Sequence, residues 1–95
     1  MEYRTGSKSG LRSTVSRRAG LAELGKLGRL LRQERKSAGV SVYRLSKESG
    51  LSQQTIHNLE SGKGNPTLGS LLRVANALKI DLPGLMVQAI DRPRR

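Results

Sequence analysis

The stretch VYRLSKESGLSQQTIHNL, residues 42–59, decides the fold. Ser41 and Ser52 are typical helix-capping residues, because a serine hydroxyl accepts a hydrogen bond from an N–H group of the first turn. Gly50 stands between the two segments and can adopt the positive φ that a tight turn requires. The pattern predicts two short helices, over residues 42–49 and 53–61, that meet at this glycine.

The second of these helices has an apolar side that can dock on the first. Ile56 and Leu59 provide the apolar anchor, and Ser46 is a small residue at the point where the helices cross. Two short helices joined in this way form the helix-turn-helix arrangement, whose second helix enters the DNA major groove.

The outward side of the second helix is polar and carries no acidic residue. At 100° per residue, three side chains point away from Ile56 and three lie on the flanks. They are Gln54, Asn58 and Ser61, with Gln53, His57 and Thr55 beside them. Glutamine and asparagine amides can form a bidentate pair with adenine, so this side is a candidate base-reading face. A merely solvated polar face is the alternative interpretation.

Three further helices are predicted around this pair. The apolar residues of the first helix, which begins near Leu21 and ends near Ala38, recur on one face: Leu24, Leu27 and Leu31. After Thr67, the inward stripe of a fourth helix is Leu68, Leu71, Leu72, Ala75 and Leu78. After Asp81, a fifth helix carries Leu82, Leu85, Met86 and Ile90. We therefore predict an all-α domain over residues 21–90, preceded by a flexible basic arm (1–20) and followed by a basic tail (91–95).

Composition narrows the class of partner. Eighteen Lys and Arg residues against seven Asp and Glu give a formal charge of +11, which implies a polyanionic partner. Two tyrosines are the only aromatic residues, too few for the stacking platforms of single-strand binders, so duplex DNA is favoured. With no Cys and one His, neither a metal site nor a cofactor is expected. No apolar run is long enough to span a membrane, and we expect a cytoplasmic protein.

Residues 27–86 resemble the phage-repressor and Cro-like (XRE-type) helix-turn-helix family. The resemblance is carried most specifically by Ser-x-x-Thr-Ile-x-x-Leu-Glu-x-Gly over residues 52–62, followed by Asn65-Pro66. It implies a lambda-repressor-like fold of five helices. It also implies base contacts at Gln53, Gln54 and Asn58, with His57 as a further candidate.

The same resemblance, with the charge pattern, suggests roles for other residues. Candidate phosphate contacts are Arg44, Ser52, Thr55, Ser61, Lys63 and Asn65, with Arg17 and Arg18 of the arm. An ion pair between Arg35 and Glu60 would tie the first helix to the third. The expected dimer surface is Leu85, Met86 and Ile90. Many relatives carry Gln where Val42 stands, so the phosphate contact of that glutamine is not expected here.

The function that this pattern predicts is sequence-specific binding of double-stranded DNA by a transcriptional regulator. Its expected mode of action is repression, as a homodimer on a palindromic operator. An antitoxin that neutralises a toxin protein and regulates its own operon is the alternative. No catalytic pair of nucleophile and base is recognisable, so an enzyme is not expected.

Overall fold

The computed structural model describes the backbone of residues 9–90 and the side chains of residues 20–90. Within that range it consists of five helices: α1 (Ser9–Ser37), α2 (Val42–Ser49), α3 (Gln53–Ser61), α4 (Leu68–Leu78) and α5 (Leu82–Ala89). The described residues contain no strand, and the predicted five-helix, all-α class is confirmed. None of the helices in this range is long and apolar enough to cross a bilayer.

Hydroxyl caps fix where α2, α3 and α4 begin. The side chains of Ser41, Ser52 and Thr67 each accept a hydrogen bond of 3.0 Å from the backbone N–H three residues further on. Asp81 occupies the corresponding position before α5, but its side chain makes no capping hydrogen bond. Gly50 has φ +78° and donates its N–H to the carbonyl of Ser46, which ends α2 and turns the chain into α3.

Helix α1 begins at Ser9 rather than at the predicted Leu21. Residues 9–20 contain no proline, and adding residues to an existing helix costs far less than nucleating one. The predicted arm therefore overlaps α1 over residues 9–20. Arg17 and Arg18 lie within α1, and their side chains are outside the described residues, as are residues 1–8 and the tail 91–95.

The core lies where all five helices converge. Helix α1 packs against α3 and α5, whereas α2 packs against α3 and α4. The most deeply buried large side chains come from four different helices: Leu31, Leu45, Ile56 and Val74. A single apolar cluster therefore holds α3 between α1 and α2.

The predicted inward stripe of α4 is wrong at two positions. Leu68 is 61% exposed and Leu72 is 45% exposed, whereas Leu71, Val74 and Ala75 are buried. Leu72 lies 100° around the helix from Leu71, outside the arc that faces the core. Leu68 lies in the first turn, directly after the exposed cap Thr67.

Candidate nucleic-acid interface

The polar side of α3 faces solvent. Gln53, Gln54 and His57 are exposed and Asn58 is partly exposed, while Ile56 lies in the core. Because these polar residues share one helix, the structure brings all four candidate base-contacting side chains onto one surface. We call this surface, residues 53, 54, 57 and 58, the reading face.

Two amides of the reading face are joined by a hydrogen bond. Gln54 Nε2 donates to Asn58 Oδ1 at 3.0 Å, across one turn of the helix. Gln54 keeps its second amide hydrogen and its carbonyl oxygen, and Asn58 keeps both hydrogens of its own amide. Asn58 can therefore orient the Gln54 amide while that amide still offers one donor and one acceptor, as a bidentate pair with adenine requires.

Hydroxyl groups flank the reading face at both ends of α3. At the start, Ser52 Oγ and Thr55 Oγ1 are 2.8 Å apart and share one hydrogen bond. Each hydroxyl carries one hydrogen, so this pair retains one that it can donate to a phosphate. At the end, Ser61 Oγ donates to the carbonyl of His57 at 2.8 Å. Ser61 can donate to a phosphate only by giving up that bond.

The remaining predicted phosphate contacts are spread around α3. Lys63 and Asn65 are exposed in the loop after α3, and Asn65 borders a groove between α1 and α5. Arg44 is exposed on α2, where its Nε donates to Glu48 Oε2 at 3.0 Å. Its two terminal nitrogens can still donate to a phosphate, although the nearby carboxylate would oppose the approach of an anion.

Helix α3 is held to α1 by a buried ion pair. Arg35 Nε lies 2.7 Å from Glu60 Oε2, and Arg35 Nη2 lies 3.1 Å from Glu60 Oε1. The third contact of the guanidinium is a hydrogen bond of 2.9 Å from Nη1 to the carbonyl of Val40. The side chains are only 10% and 7% exposed. Such a bidentate, desolvated pair fixes the relative orientation of the two helices.

A glycine of α1 brings the backbones of α1 and α3 into close contact. A Cβ on Gly28 would lie 3.1 Å from the carbonyl oxygen of Glu60, and closer still to that of Leu59. Only a residue without a side chain fits at this crossing. Our sequence analysis gave Gly28 no role. A glycine within a leucine-rich helix costs about 1 kcal/mol, and that unexplained cost was the available signal, although Gly20 and Gly25 of the same helix give it equally.

The predicted dimer residues do not share one environment. Leu85 is buried and packs in the core, so its side chain closes the monomer and offers no surface to a partner. Met86 and Ile90 are partly exposed and line an apolar groove of about 460 Å³ between α1 and α5, together with Leu21 and Leu24. Val87, which the sequence analysis passed over, is 73% exposed beside them.

Metal-ligating residues are not clustered in the described part of the chain. No group of three or more His, Asp or Glu side chains there could hold a metal ion. The described surface around α3 offers hydrogen bonding through amides and hydroxyls, with positive charge nearby.

Comparison with known proteins agrees with this geometry. A family model described as helix-turn-helix matches residues 31–85, which contain α2, α3 and α4 in full. The fold is similar to that of the restriction-modification controller protein C.AhdI from Aeromonas hydrophila, with a TM-score of 0.64 and 36% sequence identity over 67% of this chain and 97% of that one. It is also similar to the clp gene regulator ClgR from C. glutamicum, with a TM-score of 0.66 and 27% identity over 70% and 86% of the two chains. No curated protein sequence matches significantly.

Proposed function

The chain belongs to the XRE-type helix-turn-helix family and is a DNA-binding transcriptional regulator, and we propose that it represses transcription by occupying a palindromic operator as a homodimer. The observation that carries the proposal is the reading face, whose amides point outward from a helix that the Arg35–Glu60 pair and the Gly28 contact hold rigidly. Rigid placement matters because base recognition depends on side chains reaching fixed positions in the groove.

In this proposal Gln53, Gln54 and Asn58 contact base edges, with His57 at the side of the groove. The oriented Gln54 amide supports an adenine contact in particular, since its free donor and acceptor match adenine N7 and N6. Phosphates are bound by the groups that flank α3: Arg44, Ser52, Thr55, Ser61, Lys63 and Asn65. Arg17 and Arg18 supply further positive charge from the N-terminal part of the chain.

The homodimer and the palindromic operator are proposed together, because a two-fold symmetric dimer binds two inverted half-sites. A recognition helix of nine residues is about 13 Å long and reaches only a few base pairs, so specificity requires a second half-site. Half-sites on one face of the duplex are about 34 Å apart. The groove between α1 and α5 is the surface we assign to self-association, because Met86, Ile90 and the neighbouring Val87 leave apolar area exposed there.

Selection of bound sequences from random duplex DNA tests the proposal. The selection is run at a stated salt concentration, because affinity for DNA depends steeply on salt. We expect an enriched palindrome whose half-site centres lie one helical turn apart. A pool that remains random after repeated rounds would contradict sequence-specific binding, and an enriched single half-site would contradict the dimer.

An antitoxin remains the second candidate function. The same apolar groove could hold another polypeptide instead of a second copy of the chain. The two cases differ in the mass of the complex recovered from the native host. A complex with twice the mass of the chain supports the homodimer, whereas a second polypeptide in fixed ratio supports the antitoxin.

A further inference from the structure

Three basic residues form a strip along the exposed side of α1. Arg29, Arg32 and Lys36 are all exposed and follow one another at intervals of three and four residues. At 100° per residue, these positions fall within about 60° of one another around the helix. We call these three residues the α1 basic strip.

Among residues 20–90, the one acidic side chain that shares a depression with the strip is Glu60, and it is paired with Arg35. Glu34 lies about 170° around α1 from the centre of the strip, and borders a depression with Lys79 and Gly84 instead. Arg44 differs from these residues, because it is also exposed but forms an ion pair with Glu48 one turn away. Within residues 20–90, neither arginine of the strip nor Lys36 takes part in an ion pair. Like charges at these spacings destabilise a helix, so the arrangement favours an anionic partner.

The strip is adjacent to the reading face. Arg32 lines a polar depression of about 230 Å³ between α1 and α3, opposite His57 and Ser61. Arg35 and Glu60 also line this depression, but each is already occupied by the other. The positive charge of Arg32 therefore lies beside the end of α3, where the backbone of a duplex in contact with the reading face would pass.

We propose that the α1 basic strip binds the phosphates of one DNA strand next to the bases that α3 contacts, which extends the protein–DNA interface onto α1. This inference rests on the proposed function. From residue 29 to residue 36 the strip rises about 10 Å, and phosphates of one strand follow each other every ~3.4 Å along the duplex axis. The strip is thus long enough to serve about three consecutive phosphates.

The surroundings of the strip favour a duplex over other polyanions. The described residues contain no Phe or Trp and one Tyr, Tyr43, which lies on α2 with Lys47 Nζ 5.4 Å from its ring centre. No Phe, Tyr or Trp among the described residues therefore borders the strip, and the single ring beside it, that of His57, is too little for a platform that stacks successive bases. Leu27 and Leu31 are buried in the core, and the exposed positions between residues 29 and 36 are all polar: Arg29, Arg32, Gln33 and Lys36. This stretch of α1 therefore lacks the exposed apolar area that a membrane-binding helix inserts.

The test measures how affinity for a long duplex of random sequence depends on salt. Arg32→Gln is compared with Lys79→Gln, which removes the same charge from an exposed site at the end of α4. Loss of one phosphate contact should reduce the slope of log affinity against log salt by about 0.9, and loss of all three in Arg29→Gln/Arg32→Gln/Lys36→Gln by up to about 2.7. Lys79→Gln should leave the slope near that of the wild type, and Arg32→Lys should restore it.

The outcomes separate this inference from the proposed function. Equal slopes for Arg32→Gln and Lys79→Gln would overturn the role of the strip, even if the wild type prefers a selected sequence. A flatter slope for Arg32→Gln supports the strip, even if the wild type prefers no sequence and the proposed operator binding fails. Thermal melting of each variant provides the control for folding. We expect melting temperatures at or slightly above that of the wild type, because the substitutions are exposed and remove repulsion between like charges.

Discussion

Replacing Gly28 by alanine should disturb both the stability of the domain and the position of its recognition helix. The added methyl group would lie 3.1 Å from the carbonyl oxygen and 3.2 Å from the carbonyl carbon of Glu60, and nearer still to the carbonyl oxygen of Leu59. These are backbone atoms, so no side-chain rotation can relieve the contact. Helices α1 and α3 would have to separate by on the order of 1 Å to restore ordinary contact distances near 3.5 Å.

Gly25→Ala is the matched control, one turn earlier in the same helix. A Cβ there meets only Arg29 Nη1, at an ordinary contact distance of 3.8 Å. Both substitutions gain the same helix propensity, about 0.5–1 kcal/mol. Overpacking at Gly28 should cost about 1–3 kcal/mol, which is therefore the expected difference in the free energy of unfolding between the two variants. For a domain of this size each kcal/mol corresponds to about 4–8 °C in melting temperature.

Two assays measure these effects. Thermal melting should place Gly25→Ala at or above the wild type and Gly28→Ala at least about 4 °C below Gly25→Ala. Titration with a selected duplex and an unrelated duplex should show a reduced preference for Gly28→Ala alone, because its α3 no longer presents the amides at the same depth. If both alanine variants melt together and keep the same sequence preference, the close contact at Gly28 does not position α3.

Three further substitutions test other parts of the account. Glu60→Gln leaves the buried guanidinium of Arg35 without its carboxylate and should lower the free energy of unfolding in urea by about 3–5 kcal/mol; a loss under 1 kcal/mol would mean that the pair is dispensable. Gln54→Ala should relax base preference at one position and cost about 1–3 kcal/mol on the selected duplex; an equal loss on every duplex would rule out a reading role. Met86→Glu should produce monomers in sedimentation, whereas Leu72→Glu, on α4, should not; the reverse result would move the dimer interface to α4.

Local signals in the sequence predicted the helix-turn-helix unit closely. The bounds of α2 and α3 agree with prediction because each is set within a few residues, by Ser41 and Gly50 for α2 and by Ser52 and Gly62 for α3. Cap hydroxyls and positive-φ glycines act on their immediate neighbours, so their effect is readable without knowledge of the fold.

Features that depend on packing between helices were harder to predict. The leucines of α4 could not be divided into buried and exposed residues without knowing which arc of the helix meets α2 and α5. Leu72 was misassigned for this reason. Leu85 was expected on the dimer surface for a similar reason: its burial depends on the angle at which α5 packs against the other helices, which the sequence does not give. Lys79 ends α4 with φ +57°, a left-handed conformation for which a lysine gives no local signal.

The sequence predicted the outward placement of the reading face, but only some of the contacts that fix the position of α3. Outward placement of Gln54 and Asn58 follows from the helical period once Ile56 is assigned to the core. Their mutual hydrogen bond also follows the four-residue spacing and could have been proposed. The contact of Gly28 with the end of α3 joins residues far apart in sequence, and periodicity within one helix carries no information about it.

Atomic substitution in the DNA can establish whether the amide of Gln54 contacts a base edge in the major groove. In the selected duplex, adenines are replaced one at a time by 7-deazaadenine, which lacks the N7 acceptor. At one adenine we expect the wild type to lose about tenfold or more in affinity and Gln54→Ala to lose almost nothing further, since the two changes remove the same contact. Equal losses for both proteins at every adenine would contradict the claim.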